Sequence, residues 1–168
     1  GIFENDLAFY TTYTYDYDIG LADRTLKFHN FADGSTSYLR EQPDYLYLVE
    51  FVNLEDSTSV LIFQSGNIPN IENASSYVQS TGGQYDYFGI LIDNETGEFL
   101  SDEVQLTDDL GTEAIGNIQV TDDGGFQILY TSPNQYESNG SWLSDEKSVL
   151  AEFDSNLSLV QENFAPFE

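Results

Sequence analysis

The residues able to carry chemistry in this 168-residue chain are few in kind: one histidine, His29, no cysteine, and thirty carboxylates against four cations. Without cysteine there is no thiol nucleophile, no zinc–thiolate site and no disulfide. His29 sits in "KFHNF" among apolar neighbours with no second histidine to share a metal or a proton, so it reads as structural. A serine hydrolase needs a base beside an activated serine, and the G-x-S-x-G turn is missing too. Paired carboxylates can hydrolyse glycosides, and Glu50, Glu55, Asp56, Glu103 and Glu113 are available. With thirty acids, some will lie close by chance, and no spacing singles out a pair. The chain therefore reads as a non-enzyme with no catalytic residue.

Carboxylates on turns also suit hard cations, which bind clusters of carboxylate and carbonyl oxygens. "DNETGE" places Asp93 and Glu95 ahead of Gly97, and "TDDGG" places Asp122 and Asp123 ahead of Gly124. Neither stretch has EF-hand spacing, and an ordinary acidic hairpin turn contains the same residues. Weak Ca2+ binding is the one cofactor expectation. Four Asn-x-Ser/Thr sequons, at Asn73, Asn94, Asn139 and Asn156, fall in turn-like stretches and are candidate glycosylation sites. Aromatic residues form a third group: Tyr13, Tyr15 and Tyr17, then Tyr77 and Tyr85, then Tyr136 and Trp142. Such rings stack on sugars or bury against a partner, and they also cover the edges of their own core.

The net charge of -26 narrows the partners. Nucleic acid and anionic membranes both require Lys and Arg, so neither is expected. Self-repulsion on this scale must be screened by salt, divalent cations or assembly geometry, which fits an extracellular or cell-surface setting. A start at Gly1 with no methionine reads as a processed chain, and no run approaches the length of a membrane-spanning helix.

The elements that must position these groups are strands. Tyr, Phe, Val, Ile and Thr fill short segments separated by Gly, Asn, Asp and Ser, and helical spacing is nearly absent. Ten strands are expected, at 7–17, 25–31, 45–53, 59–64, 87–92, 99–106, 117–121, 126–131, 148–153 and 157–162. The pieces repeat. "GIFENDLAFYTT", "YLVEFVNLEDSTSVLIFQSG" and "GNIQVTDDGGFQILYTSP" each give strand, acidic turn and strand, with Tyr10, Phe63 and Tyr130 in register as core rings. A second hairpin follows each, so one unit is four antiparallel strands, with limits 1–43, 44–107 and 108–168 inside a single all-β domain. A four-stranded unit repeating every 40–65 residues or so is the pattern of β-propeller blades, although three blades do not close a ring of about four to eight. A β-sandwich of about ten strands is the rival architecture.

Two stretches carry a family resemblance. "FGILIDNETGEFLSDEVQL" (Phe88–Leu106) followed by "TDDGGFQILY" (Thr121–Tyr130) resembles a propeller-like repeat of large secreted and surface proteins of bacteria, marine ones especially, with Tyr130 where that pattern has Trp. The resemblance fades before Tyr45. It implies secretion and adhesive or matrix roles, and it brings no catalytic residues. The expected function is a non-enzymatic extracellular structural or adhesive protein, a subunit of a surface fibre or filament, self-associating or glycan-bound. In such a fibre Gly1–Tyr10 can complete a neighbour's sheet. The alternatives are a carbohydrate-binding module using the tyrosine-rich loops and, behind it, a polysaccharide-acting enzyme.

Overall fold

The computed structural model describes residues 2–4, 6–16, 21–43, 46–54, 57–67, 84–108, 113–138 and 141–166. Among these residues there are twelve strands and no helix. Sheet 1 contains β1 (Ile2–Glu4), β2 (Leu7–Asp16), β3 (Leu21–Asn30) and β4 (Thr36–Pro43). Sheet 2 contains β5 (Leu46–Asn53), β6 (Thr58–Asn67), β7 (Gln84–Asp93) and β8 (Val104–Gln105). Sheet 3 contains β9 (Ala114–Val120), β10 (Phe126–Ser138), β11 (Ser141–Phe153) and β12 (Leu159–Pro166). Each is an antiparallel meander with its strands in chain order.

One turn device closes the last hairpin of every sheet. An acceptor side chain opens the turn, and a residue at positive φ precedes its close. In sheet 1, Asn30 Oδ1 accepts the Ala32 N–H at 2.8 Å, and Gly34 has φ 75°. In sheet 2, Asp93 Oδ1 accepts the N–H groups of Glu95 and Thr96 at 2.9 and 2.8 Å, and Gly97 has φ 74°. In sheet 3, Asp154 Oδ1 accepts those of Asn156 and Ser158 at 2.9 and 2.8 Å, and Leu157 has φ 64°. Leucine is costly in that conformation. Its side chain, 2% exposed, offsets the cost by burial beside Phe126 and Phe153.

Period-two alternation places the core. On β6, Leu61 and Phe63 face Leu7, Phe9, Leu26 and Phe28 of sheet 1, while Val60 and Ile62 face Phe126, Ile128, Tyr130 and Phe153 of sheet 3. On β7, Ile90 and Ile92 join the first cluster and Tyr87 and Leu91 the second. Sheet 2 is thus buried on both faces, and the three sheets stack as layers. Fully covering one such side chain contributes about 1.5–3 kcal/mol, so the middle sheet carries a double share. The closest approach of sheet 2 to its neighbours is through β5, which touches β1, β2 and β3 on one side and β9 on the other.

The stack is compatible with sandwich-like packing, with three sheets in place of two. Several sequence expectations change. Strands β1 and β4 are additional, and the 99–106 strand shrinks to Val104–Gln105 plus one bridge between Ile92 and Phe99. There Ser101 Oγ accepts the Leu91 N–H at 3.0 Å, substituting a side chain for a ladder partner. Ile2–Glu4, part of the segment expected to complete a neighbour's sheet, pairs with Leu7–Phe9 as the edge strand of sheet 1. Tyr10 is only half-buried, whereas Phe63 and Tyr130 are fully buried. It lies on the face of sheet 1 turned away from sheet 2.

Candidate functional site

Tyr85, Tyr136 and Trp142 lie on strands beyond those expected, and Tyr13 and Tyr15 lie on a strand within the expected 7–17 segment. Tyr13 and Tyr15 belong to β2, opposite Arg24 and Ala22. Tyr136 and Trp142 belong to β10 and β11, opposite Leu143 and Glu137, and Tyr85 belongs to β7 opposite Gly66. Tyr17 and Tyr77 lie outside the described residues. The central hairpins are long because strong β-formers continue past the core: β10 and β11 pair from Phe126–Phe153 out to Ser138–Ser141.

Contacts at the opposite end show that the hairpins share a direction. Asn30 Nδ2 of sheet 1 donates to the Thr96 carbonyl of sheet 2 at 3.4 Å, and Phe28 lies under Gly97. Leu54 and Thr58 of sheet 2 line a cleft with Asp123, Gly124 and Asn156 of sheet 3. The short turns of all three sheets therefore gather at one end. The backbones of β2–β3, β6–β7 and β10–β11 run to the other end, taking Tyr13, Tyr15, Tyr85, Tyr136 and Trp142 with them.

At the turn end the calcium candidates are occupied with their own turns. Besides two N–H groups, Asp93 Oδ1 accepts the Thr96 hydroxyl at 3.0 Å, and these bonds hold its pKa below the ordinary 3.8. Asp123 Oδ1 accepts the Thr121 hydroxyl at 2.5 Å, which likewise lowers its pKa, followed by a bond from the Gly125 backbone. Asp33 behaves in the same way through Ser35. Glu95 and Asp122 are exposed, and among the described residues no three His, Asp or Glu side chains converge as metal ligands. The geometry is that of acidic hairpin turns.

Of the sequons, Asn156 is exposed. Asn94 is half-buried, its N–H donates to the Ser57 carbonyl at 2.8 Å and its side-chain oxygen is turned inward. Asn73 and Asn139 lie outside the described residues. Of the carboxylates weighed for glycoside hydrolysis, Glu50 and Glu103 are exposed, Glu113 is buried, and Glu55 and Asp56 are not among the described residues. His29 is half-buried, with Nδ1 2.7 Å from the Thr36 hydroxyl and its ring edge-on to Phe31.

The structure assembles one polar cluster that no pattern in the sequence announces. Glu113, 1% exposed, lies in the link between sheets 2 and 3. Its carboxylate accepts a short hydrogen bond from the Thr107 hydroxyl, whose oxygen in turn accepts the Tyr87 N–H at 2.9 Å. Its carbonyl accepts Gln64 Nε2 at 3.0 Å and the Tyr87 hydroxyl at 3.1 Å, and that hydroxyl accepts the Ile115 N–H at 3.1 Å. Burying a carboxylate is costly unless it is hydrogen-bonded, and the Thr107 hydroxyl supplies one such bond while Gln64 and Tyr87 satisfy the backbone carbonyl. It clamps β6 and β7 to the start of β9.

Two clefts flank the layers. One, of about 550 Å3, lies between the 104–108 segment of sheet 2 and Tyr130, Phe153, Leu157 and Glu162 of sheet 3, with the Tyr130 hydroxyl donating to Glu162 Oε1 at 3.1 Å. The other, of about 760 Å3, lies between the last turns of sheets 1 and 2, around Asn30, Asp33, Thr96 and Phe99. Comparison with protein-family models, with curated proteins and with solved structures finds no match to this chain.

Proposed function

We propose that this chain is a non-enzymatic structural and adhesive protein of the cell exterior, working within a fibre or other multichain surface assembly, with its sheets arranged as propeller-like blades. The carrying observation is the layered stack itself: three like meanders face the same way, their short turns at one end and their long aromatic hairpins at the other. The approach of β5 to β1, β2 and β3 on one side and β9 on the other favours a blade-like fan that narrows on the β5 side. The turn carboxylates favour a scaffold, since Asp93, Asp123 and Asp154 each use Oδ1 to hold their own turn. The charge of -26 fits a salty exterior, where it is screened.

Beads coated with the purified protein are expected to bind hydrated surfaces or cells. Replacing Tyr13, Tyr15, Tyr136 and Trp142 together by serine should reduce that binding severalfold while the thermal transition persists. Retention unchanged by the replacement would overturn the assignment of the hairpin end. Sugar release from polysaccharide, abolished by one carboxylate substitution, would overturn the non-enzymatic reading. Glycan recognition is the second reading, favoured by the same gathering of aromatic residues. A glycan array probed with the wild type and the four-residue variant separates the two.

A further inference from the structure

The two junctions inside the chain are of one kind. Aligning the last turns at Asn30, Asp93 and Asp154 makes Phe28, Leu91 and Glu152 equivalent, and likewise Lys27, Ile90 and Ala151. Sheet 1 presents Leu7, Phe9, Leu26 and Phe28 forward onto the Leu61, Phe63, Ile90 and Ile92 face of sheet 2. Sheet 2 then presents its own forward face, including Val60, Ile62 and Leu91, onto Ile128, Tyr130, Ala151 and Phe153 of sheet 3. Such a head-to-tail junction is heterologous, so it leaves one unmatched face at each end of the stack.

The two end faces are of opposite kind and complementary in chemistry. The forward face of sheet 3 carries Leu129, 42% exposed, and half-buried Leu150, bordered by Gln127 and Glu152. The rear face of sheet 1 carries Ala8, Tyr10, Lys27 and His29, with Phe31, 58% exposed, edge-on to His29 at 4.7 Å. Lys27 is one of only four Lys and Arg residues in the chain, and it shares the face that would meet Glu152. A mixed apolar and polar patch of this sort is typical of non-obligate interfaces. It also accounts for Tyr10, whose equivalents Phe63 and Tyr130 are buried only because another sheet covers them.

The geometry points to a second copy of this chain as the occupant: the forward face of sheet 3 packs on the rear face of sheet 1 of the partner, repeating the internal junction. Because β5 is the strand of sheet 2 that approaches both neighbours, β1, β2 and β3 of sheet 1 and β9 of sheet 3, each step turns about an axis on the β5 side. Two copies then supply six sheets, within the range of about four to eight that closes. The inference rests on the blade-like stacking invoked above and names the partner. A monomer that still coats surfaces would sink the pairing while leaving the adhesive role standing.

Sedimentation equilibrium of the wild type, Leu129→Glu and Phe31→Glu tests it, in salt from about 0.1 to 1 M, over which the Debye length falls from roughly 10 to 3 Å. The wild type should reach about twice its 18.9 kDa mass, more readily at high salt because repulsion between two -26 chains is then screened. Each single variant places an unpaired carboxylate in the covered face and should weaken pairing about tenfold or more. An equimolar mixture of the two should regain a one-to-one pair through one junction, the sheet 3 face of the Phe31→Glu chain on the sheet 1 face of the Leu129→Glu chain, while the second junction, carrying both carboxylates, stays open. Both substituted residues are exposed, and circular dichroism confirms their folding. A monomeric wild type at every concentration and salt strength, variants that pair like the wild type, or a mixture that restores no pair would each overturn the proposal.

Discussion

Gly97→Ala probes the joint between sheets 1 and 2. At φ 74°, alanine costs about 1–2 kcal/mol more than glycine. The added Cβ would lie 2.3 Å from Phe28 Cζ, 2.8 Å from its Cε2 and 3.2 Å from Leu7 Cδ2. Phe28 has little room to yield, since its ring centroid is 5.2 Å from that of Phe9 and 6.2 Å from that of Phe99. Overpacking of this kind costs about 1–3 kcal/mol. The narrower unfolded ensemble of alanine returns about 0.4–1 kcal/mol, leaving a net loss of roughly 1–4.5 kcal/mol. Gly34→Ala is the internal control, because φ is 75° there but no atom lies within 4 Å of the new Cβ. Urea unfolding followed by circular dichroism should show Gly97→Ala less stable than Gly34→Ala by about 1–3 kcal/mol, the steric share alone. Phe28→Leu in the Gly97→Ala background should recover part of the loss. Equal midpoints for the two alanine variants would refute the idea that the Phe28–Gly97 contact sets how closely the sheets approach.

Other expectations follow from the same geometry. Tyr87→Phe removes the hydroxyl that bridges the Glu113 carbonyl and the Ile115 N–H, and should cost about 1–3 kcal/mol in urea unfolding. Glu113→Gln keeps an acceptor for Thr107 and should cost clearly less than Glu113→Ala in the same assay. The Asp93 carboxyl has a folded pKa below 3.8, so its contribution is fully present above pH 3.8 and is lost as pH falls through the lower folded value. Acid unfolding of Asp93→Asn should accordingly show a smaller loss of stability below pH 4 than the wild type. Ser57, exposed at φ 64°, should tolerate glycine with a gain of up to about 1 kcal/mol, read as a raised melting temperature.

The turns were the most legible part of the sequence, because their residue types are dictated locally. "DNETGE" and "TDDGG" specify an aspartate that caps its own backbone and a glycine at positive φ, and both do so. The alternation on β6 was equally plain, although "SVLIF" cannot say that both of its faces are covered until sheets 1 and 3 are placed. Tyr10 shows the limit from the other side: its register with Phe63 and Tyr130 is visible in sequence, but its burial depends on whether a sheet lies behind it. Leu157 was hidden because local preference argues against leucine at positive φ, and only its packing in the core explains it. The Glu113 cluster draws Gln64, Tyr87 and Thr107 from separate strands and segments, so no spacing betrays it. The outer halves of β10 and β11 lie beyond the repeat register visible in sequence, and cross-strand pairing carries them on to Ser138 and Ser141.

Like-facing sheets stack head to tail within the chain, and the proposed pairing continues that junction from one chain to the next. Electron microscopy of the wild-type protein at high salt tests it most directly. Compact particles of two chains are expected, with six sheets around one axis on the β5 side of each stack. Particles in which two stacks meet face to face through identical surfaces, or join by strand edges, would contradict it.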